Sequence, residues 1–60
     1  MIDLEVIGHS GAIQASALVV DRTGYVYLEH CTYYGYGKRE VRRLFKDYVK
    51  DKNCRIVRYA

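Results

Sequence analysis

Sixty residues with a formal charge of +3 and half of the positions hydrophobic describe one small domain, residues 1–60, with enough apolar matter for a packed core. Proline is absent and no low-complexity run, repeat or linker appears, which argues against disorder. The longest purely apolar run, residues 17–20, is too short to cross a bilayer, and the acidic start MIDLEVIGHS is unlike a signal peptide. A soluble, cytoplasmic protein is the expectation, and Cys31 and Cys54 agree with it as isolated thiols in a reducing compartment, with a Cys31–Cys54 disulfide as the alternative.

Charge is unevenly placed. Residues 1–37 hold Asp3, Glu5, Asp21 and Glu29 against Arg22, a net of −3. Residues 38–52 hold seven basic groups against Glu40, Asp47 and Asp51, a net of +4, and Arg55 and Arg58 add the remaining +2. A basic second half can attract nucleic acid, or the acidic half of another subunit.

In chain order, residues 2–7 alternate Ile2, Leu4 and Val6 with Asp3 and Glu5, the pattern of a half-buried strand. Gly8, His9, Ser10 and Gly11 read as a turn. Residues 12–20 form a second strand, with Ile13, Ala15, Ala17 and Val19 on one face. The tetrad Asp21-Arg22-Thr23-Gly24 reads as a hairpin turn, and residues 25–33 as a third strand dense in tyrosine and valine. Two registers are open across this hairpin. A four-residue loop pairs Val20 with Tyr25 and places Val26, Leu28 and Thr32 with the aliphatic face of the second strand; a bulged three-residue loop exchanges the faces. The first gathers the aliphatic residues together and is the expected one. It leaves Tyr25, Tyr27, Glu29, Cys31 and Tyr33 on the opposite face.

Residues 38–52 carry the plainest period in the chain. Val41, Leu44, Phe45, Tyr48 and Val49 form one apolar stripe of an α-helix, and every other position is charged. Gly37 is the expected N-cap, Glu40 sits where the helix dipole favours an acid, and Tyr36 can staple to Val41. Asn53 suits a left-handed C-cap. Residues 55–59 read as a short last strand, either parallel to the first strand or exchanged between subunits. The expected fold is therefore α+β in the order β-β-β-α-β: an antiparallel three-stranded meander and a C-terminal strand, with one amphipathic helix on one face.

Catalytic signatures are lacking, so no enzyme activity and no cofactor is expected. His9, His30, Cys31 and Cys54 show no metal-ligand spacing, and His30 and Cys31, adjacent on a strand, point to opposite faces. Gly-His-Ser-Gly is not a nucleophile elbow, and Gly35-Tyr36-Gly37-Lys38 lacks the Walker spacing. The remaining classes are binding functions. Tyr25, Tyr27 and Tyr33 on an uncovered sheet face are the expected oligomer interface, giving a homodimer or higher even assembly with Arg55 or Arg58 at its rim. Arg39, Arg42, Arg43 and Lys46 on the outer helix face are the expected partner-binding residues. Nucleic acid is the alternative partner, held by that basic face and the sheet tyrosines, although Glu40, Asp47 and Asp51 interrupt the stripe. A further alternative is an anionic nucleotide signal, held by the first helix N–H groups with Lys38, Arg39 and Arg42.

The run Tyr34-Gly35-Tyr36-Gly37-Lys38-Arg39-Glu40, followed by Leu44-Phe45-Lys46, resembles small phage-encoded proteins in which an aromatic-Gly-Tyr step leads into a K-R-E-type helix on a small sheet. The resemblance covers about residues 33–49. It implies an anti-defence protein that binds and inhibits a host macromolecule, or sequesters its signal, and it carries over no catalytic residue.

Overall fold

The computed structural model describes residues 2–8 and 11–57. Three antiparallel strands come first: β1 (Asp3–Ile7), β2 (Ala12–Val20) and β3 (Val26–Tyr34). Helix α1 (Lys38–Asp51) and a two-residue strand β4 (Arg55–Ile56) follow. The order is β-β-β-α-β and the class α+β, as the sequence periods require. The expected positions of His9, Ser10, Arg58 and Tyr59 lie outside the described residues.

Strand β2 is the centre of the sheet. It pairs with β3 along its whole length, from Ala12 opposite Tyr34 to Val20 opposite Val26. Its other edge is divided: β1 takes Ala12 to Ser16, and β4 takes Val19 and Val20. The final strand thus pairs antiparallel with β2 instead of with the first strand, although it points the same way as β1, and it is paired within its own chain.

The apolar helix stripe seats on the odd-numbered face of β2. Ile13, Ala15, Ala17 and Val19 are buried against Val41, Phe45 and Val49, with Ile2, Leu4, Tyr27, Cys31, Tyr33, Cys54 and Ile56 packed around them. Two alanines on the central strand leave room for the Phe45 ring, which is fully buried. Gly37 caps the helix in extended geometry, and its carbonyl accepts the Val41 N–H at 2.9 Å. The helix ends in a Schellman arrangement around Asn53, whose φ of 60° is left-handed. There the Cys54 N–H donates to Val49 O at 3.1 Å and the Asn53 N–H to Lys50 O at 2.9 Å.

The hairpin takes the bulged register, not the expected four-residue loop. Asp21 N–H donates to Tyr25 O at 3.0 Å and Gly24 N–H to Asp21 O at 3.2 Å, with Gly24 at φ 91°. The Asp21 carboxylate accepts from Thr23 N–H (2.8 Å), the Thr23 hydroxyl (2.6 Å) and Tyr25 N–H (3.1 Å). These bonds close a three-residue loop with the left-handed glycine that such a loop needs. One residue of register then turns every β3 side chain over. Tyr27, Cys31 and Tyr33 come to the helix side, and Val26, Leu28 and Thr32 go to the far side. Local turn chemistry outweighed the grouping of aliphatic residues, and the tyrosine rings cover the flank of the core in their place.

Phe45→Ala should cost about 3–5 kcal/mol, since it removes a ring from a fully packed site. That approaches the whole stability of about 5–15 kcal/mol typical of a domain. We expect the variant to lose its cooperative thermal transition by circular dichroism; a sharp, parent-like melt would show that Phe45 is not the centre of the core.

Candidate interaction surfaces

Tyr25, Tyr27 and Tyr33 do not form the uncovered face expected of them. All three share the odd-numbered, helix-side face of the sheet, where the Tyr25 and Tyr27 rings stack at 5.8 Å and Tyr33 meets Tyr36 edge-on at 6.5 Å. Helix α1 packs on β2 and β4, so it shades β3 only in part and leaves Tyr27 and Tyr33 half-buried. Tyr25, beyond the strand end, is exposed.

The sheet face away from the helix is built from other residues. β3 contributes Val26, Leu28, His30, Thr32 and Tyr34; β2 contributes Gln14, Ser16, Leu18 and Val20; β1 contributes Asp3, Glu5 and Ile7. Leu18 lies opposite Leu28, and Val20 opposite Val26, which makes an aliphatic patch at the hairpin end. Val26 is 49% exposed, Leu28 60% and Tyr34 67%. The centre of the face is polar. The sequence signal for this arrangement was the Asp-x-Thr-Gly turn, whose side-chain bonds select the bulged loop.

The basic side of the helix is also solvent-facing. Arg39, Arg42, Arg43 and Lys46 are all exposed, and none of them forms an ion pair with a described residue. Helical phase separates the charges more cleanly than the sequence suggests. Arg39, Arg43, Lys46 and Lys50 recur at i, i+4, i+7 and i+11 and form one line along the helix. Glu40, Asp47 and Asp51 fall on a neighbouring line, so they flank the basic stripe instead of breaking it. An open hollow of about 290 Å³ lies beside Arg39, Glu40 and Arg43. Its carboxylate wall disfavours an isolated phosphate there.

Between helix and β3 lies a small polar and aromatic cluster. Lys52 bonds and ion-pairs with Glu29, and its ammonium lies 5.3 Å from the Tyr48 ring centre and 5.8 Å from that of Tyr27. The Tyr27 hydroxyl and Cys54 Sγ are hydrogen-bonded at 3.4 Å. The Lys52 bond holds the Glu29 carboxyl below its usual range, and Glu29 in return raises the Lys52 ammonium. The Cys54 bond raises Tyr27, and burial, aided by Cys31, pushes Tyr33 up to about 12. These ties fasten the C-terminal end of the helix to the middle of β3. They form no nucleophile–base pair.

Both cysteines are free thiols, and no group of three or more His, Cys, Asp or Glu able to hold a metal ion occurs among the described residues. Nor is any helix there long and apolar enough to cross a membrane. Comparison of the chain with protein-family models, curated proteins and solved structures gives no match.

The pH dependence of stability follows from this cluster. Glu29, lowered by folding, contributes above the ordinary carboxylate pKa of about 4.3, and the contribution is lost as pH falls through its lowered value. Lys52 and Tyr33, both raised, contribute fully below about 10, and their share is lost as pH rises through their raised values. Urea unfolding should show Glu29→Gln less stable than the parent at pH 7, with the gap narrowing toward pH 3. A gap that stays constant over that range would mean that the ion pair adds nothing.

Proposed function

We propose that this chain is a small non-enzymatic interaction protein that works as a homo-oligomer, with the helix-free sheet face buried between copies and the basic helix face turned outward to a macromolecular partner. The observation that carries the reading is the simultaneous exposure of Val26, Leu28 and Tyr34 on one sheet face while the helix closes the other. A second copy is the occupant that the face suits. The nine-residue strands β2 and β3, with the five-residue β1 beside part of β2, give a face about 30 Å long and at most about 14 Å wide. In plan this is about half of the roughly 800 Å² that each partner contributes to a standard interface, which places the contact at the small end of the range. Its charges are also self-complementary: Asp3 and Glu5 on β1 and Arg55 on β4 share one edge of β2, so a copy turned end for end sets Arg55 over the acids.

The outward helix line of Arg39, Arg43, Lys46 and Lys50, with Arg42 beside it, suits an acidic protein surface. The resemblance of residues 33–49 to small phage proteins extends this reading to a host macromolecule blocked by binding. Nucleic acid is the second reading, favoured by the unbroken basic line. It lacks the open tyrosine platform on which bases would stack, since Tyr27 and Tyr33 are half-buried beside the helix.

Sedimentation at tens of micromolar should find an even assembly. Leu18→Lys, on the central strand and therefore away from any sheet edge, should halve the assembly mass while the helical circular dichroism signal persists. A monomeric parent, or an assembly indifferent to this change, overturns the reading. Titration of a labelled single-stranded oligonucleotide separates the two partner classes. If nucleic acid is the partner, affinity falls steeply with salt, and Arg39→Ala with Arg43→Ala flattens the log–log slope by about 1.4.

A further inference from the structure

Strand β3 is an edge strand of unusual openness. Among the described residues its ladder is with β2 alone, through nine consecutive residues without a break in register. Proteins commonly blunt such an edge with short strands, proline, bulges or charge. The opposite edge of the sheet follows that rule, being divided between five-residue β1 and two-residue β4. β3 has no proline, glycine or lysine, and Glu29 is its single formal charge.

The register shows which backbone groups face outward. Asp21 and Tyr25 are a hydrogen-bonded pair, so antiparallel alternation makes Tyr27, Glu29, Cys31 and Tyr33 the residues bonded to β2. The N–H and C=O groups of Val26, Leu28, His30, Thr32 and Tyr34 therefore point away from the sheet. The bond from Val57 N–H to Leu18 O, at 2.8 Å, agrees, because Leu18 lies opposite Leu28 and turns its carbonyl to the other edge. Among these outward donors, His30 N–H is held by the Glu29 carboxylate at 3.2 Å. The other four have no partner among the described residues.

We propose that this edge is a strand-addition site for β3 of a second copy, paired antiparallel about a two-fold axis at His30. Full overlap of the nine residues sets Tyr27 opposite Tyr33, Val26 opposite Tyr34, Leu28 opposite Thr32 and Glu29 opposite Cys31. Aromatic and β-branched residues meet in favourable cross-strand pairs. The charged residue meets a neutral one and already has Lys52 as its counter-ion. The helix does not obstruct the approach, because it lies over β2 and β4. The half-buried Tyr27 and Tyr33 of both copies then cover one another along the seam, and a carbonyl of the second copy replaces Glu29 at His30 N–H. This edge is separate from the sheet face assigned above, and joining two copies through it makes one sheet with both helices on the same side.

Amide hydrogen exchange, read residue by residue by NMR at low and high protein concentration, tests this directly. The amides of Leu28, His30 and Thr32 should exchange about tenfold or more slowly at high concentration, because edge pairing covers them and face packing does not. Thr32→Pro removes one outward N–H and no bond to β2. It should leave the helical signal intact and abolish the concentration dependence at Leu28 and His30. Outward amides whose exchange ignores concentration in the parent overturn the proposal whether or not the proline variant folds; so does a folded Thr32→Pro protein that keeps the parent's concentration dependence.

Discussion

A helix with its side chains is about 10–12 Å across, while neighbouring strands lie about 4.8 Å apart. One helix therefore covers little more than two strands. In this chain the helix is committed to β2 and the edge it shares with β4, because Val41, Phe45 and Val49 meet Ala15, Ala17 and Val19 there. Strand β3 is left at the margin of that cover and the far face of the sheet has none. Most of what distinguishes the molecule follows from this shortage: half-buried tyrosines, an open strand edge and aliphatic side chains in water.

The chain compensates locally. Lys52, the C-cap residue held by the last helical turn, reaches across to Glu29 and lies against the rings of Tyr27 and Tyr48. Cys54 holds the Tyr27 hydroxyl. The two residues flanking the left-handed Asn53 thus supply ties to β3. Glu29 serves at both ends of this arrangement, as counter-ion to Lys52 and as acceptor for an outward N–H of the strand edge.

The surfaces left over are of different chemical kinds and face different directions. An aliphatic patch at the hairpin end, with Tyr34 at the far end of the same face, lies on one side of the sheet, and a basic line along the helix lies on the other. A small domain that offers both can assemble through the first and present the second.

Much of the fold was legible in the residues. Alternation marked β1 and β2, the 3.6-residue stripe marked the helix, and Gly37 and Asn53 marked its ends, because each of these is a local preference that needs no knowledge of distant partners. The basic side chains were placed correctly on the outer helix face, though their separation from Glu40, Asp47 and Asp51 emerged only from helical phase. The faces of β3 were not legible in the same way. Val26, Leu28 and Thr32 offer an apolar stripe to the core, and Tyr27, Cys31 and Tyr33 offer another. Composition alone cannot choose between stripes of similar burial value. The choice rested on where Asp21 placed its hydrogen bonds and on how far one helix could reach across the sheet. Strand pairing is a relation between distant segments, and only the assembled tertiary structure sets it.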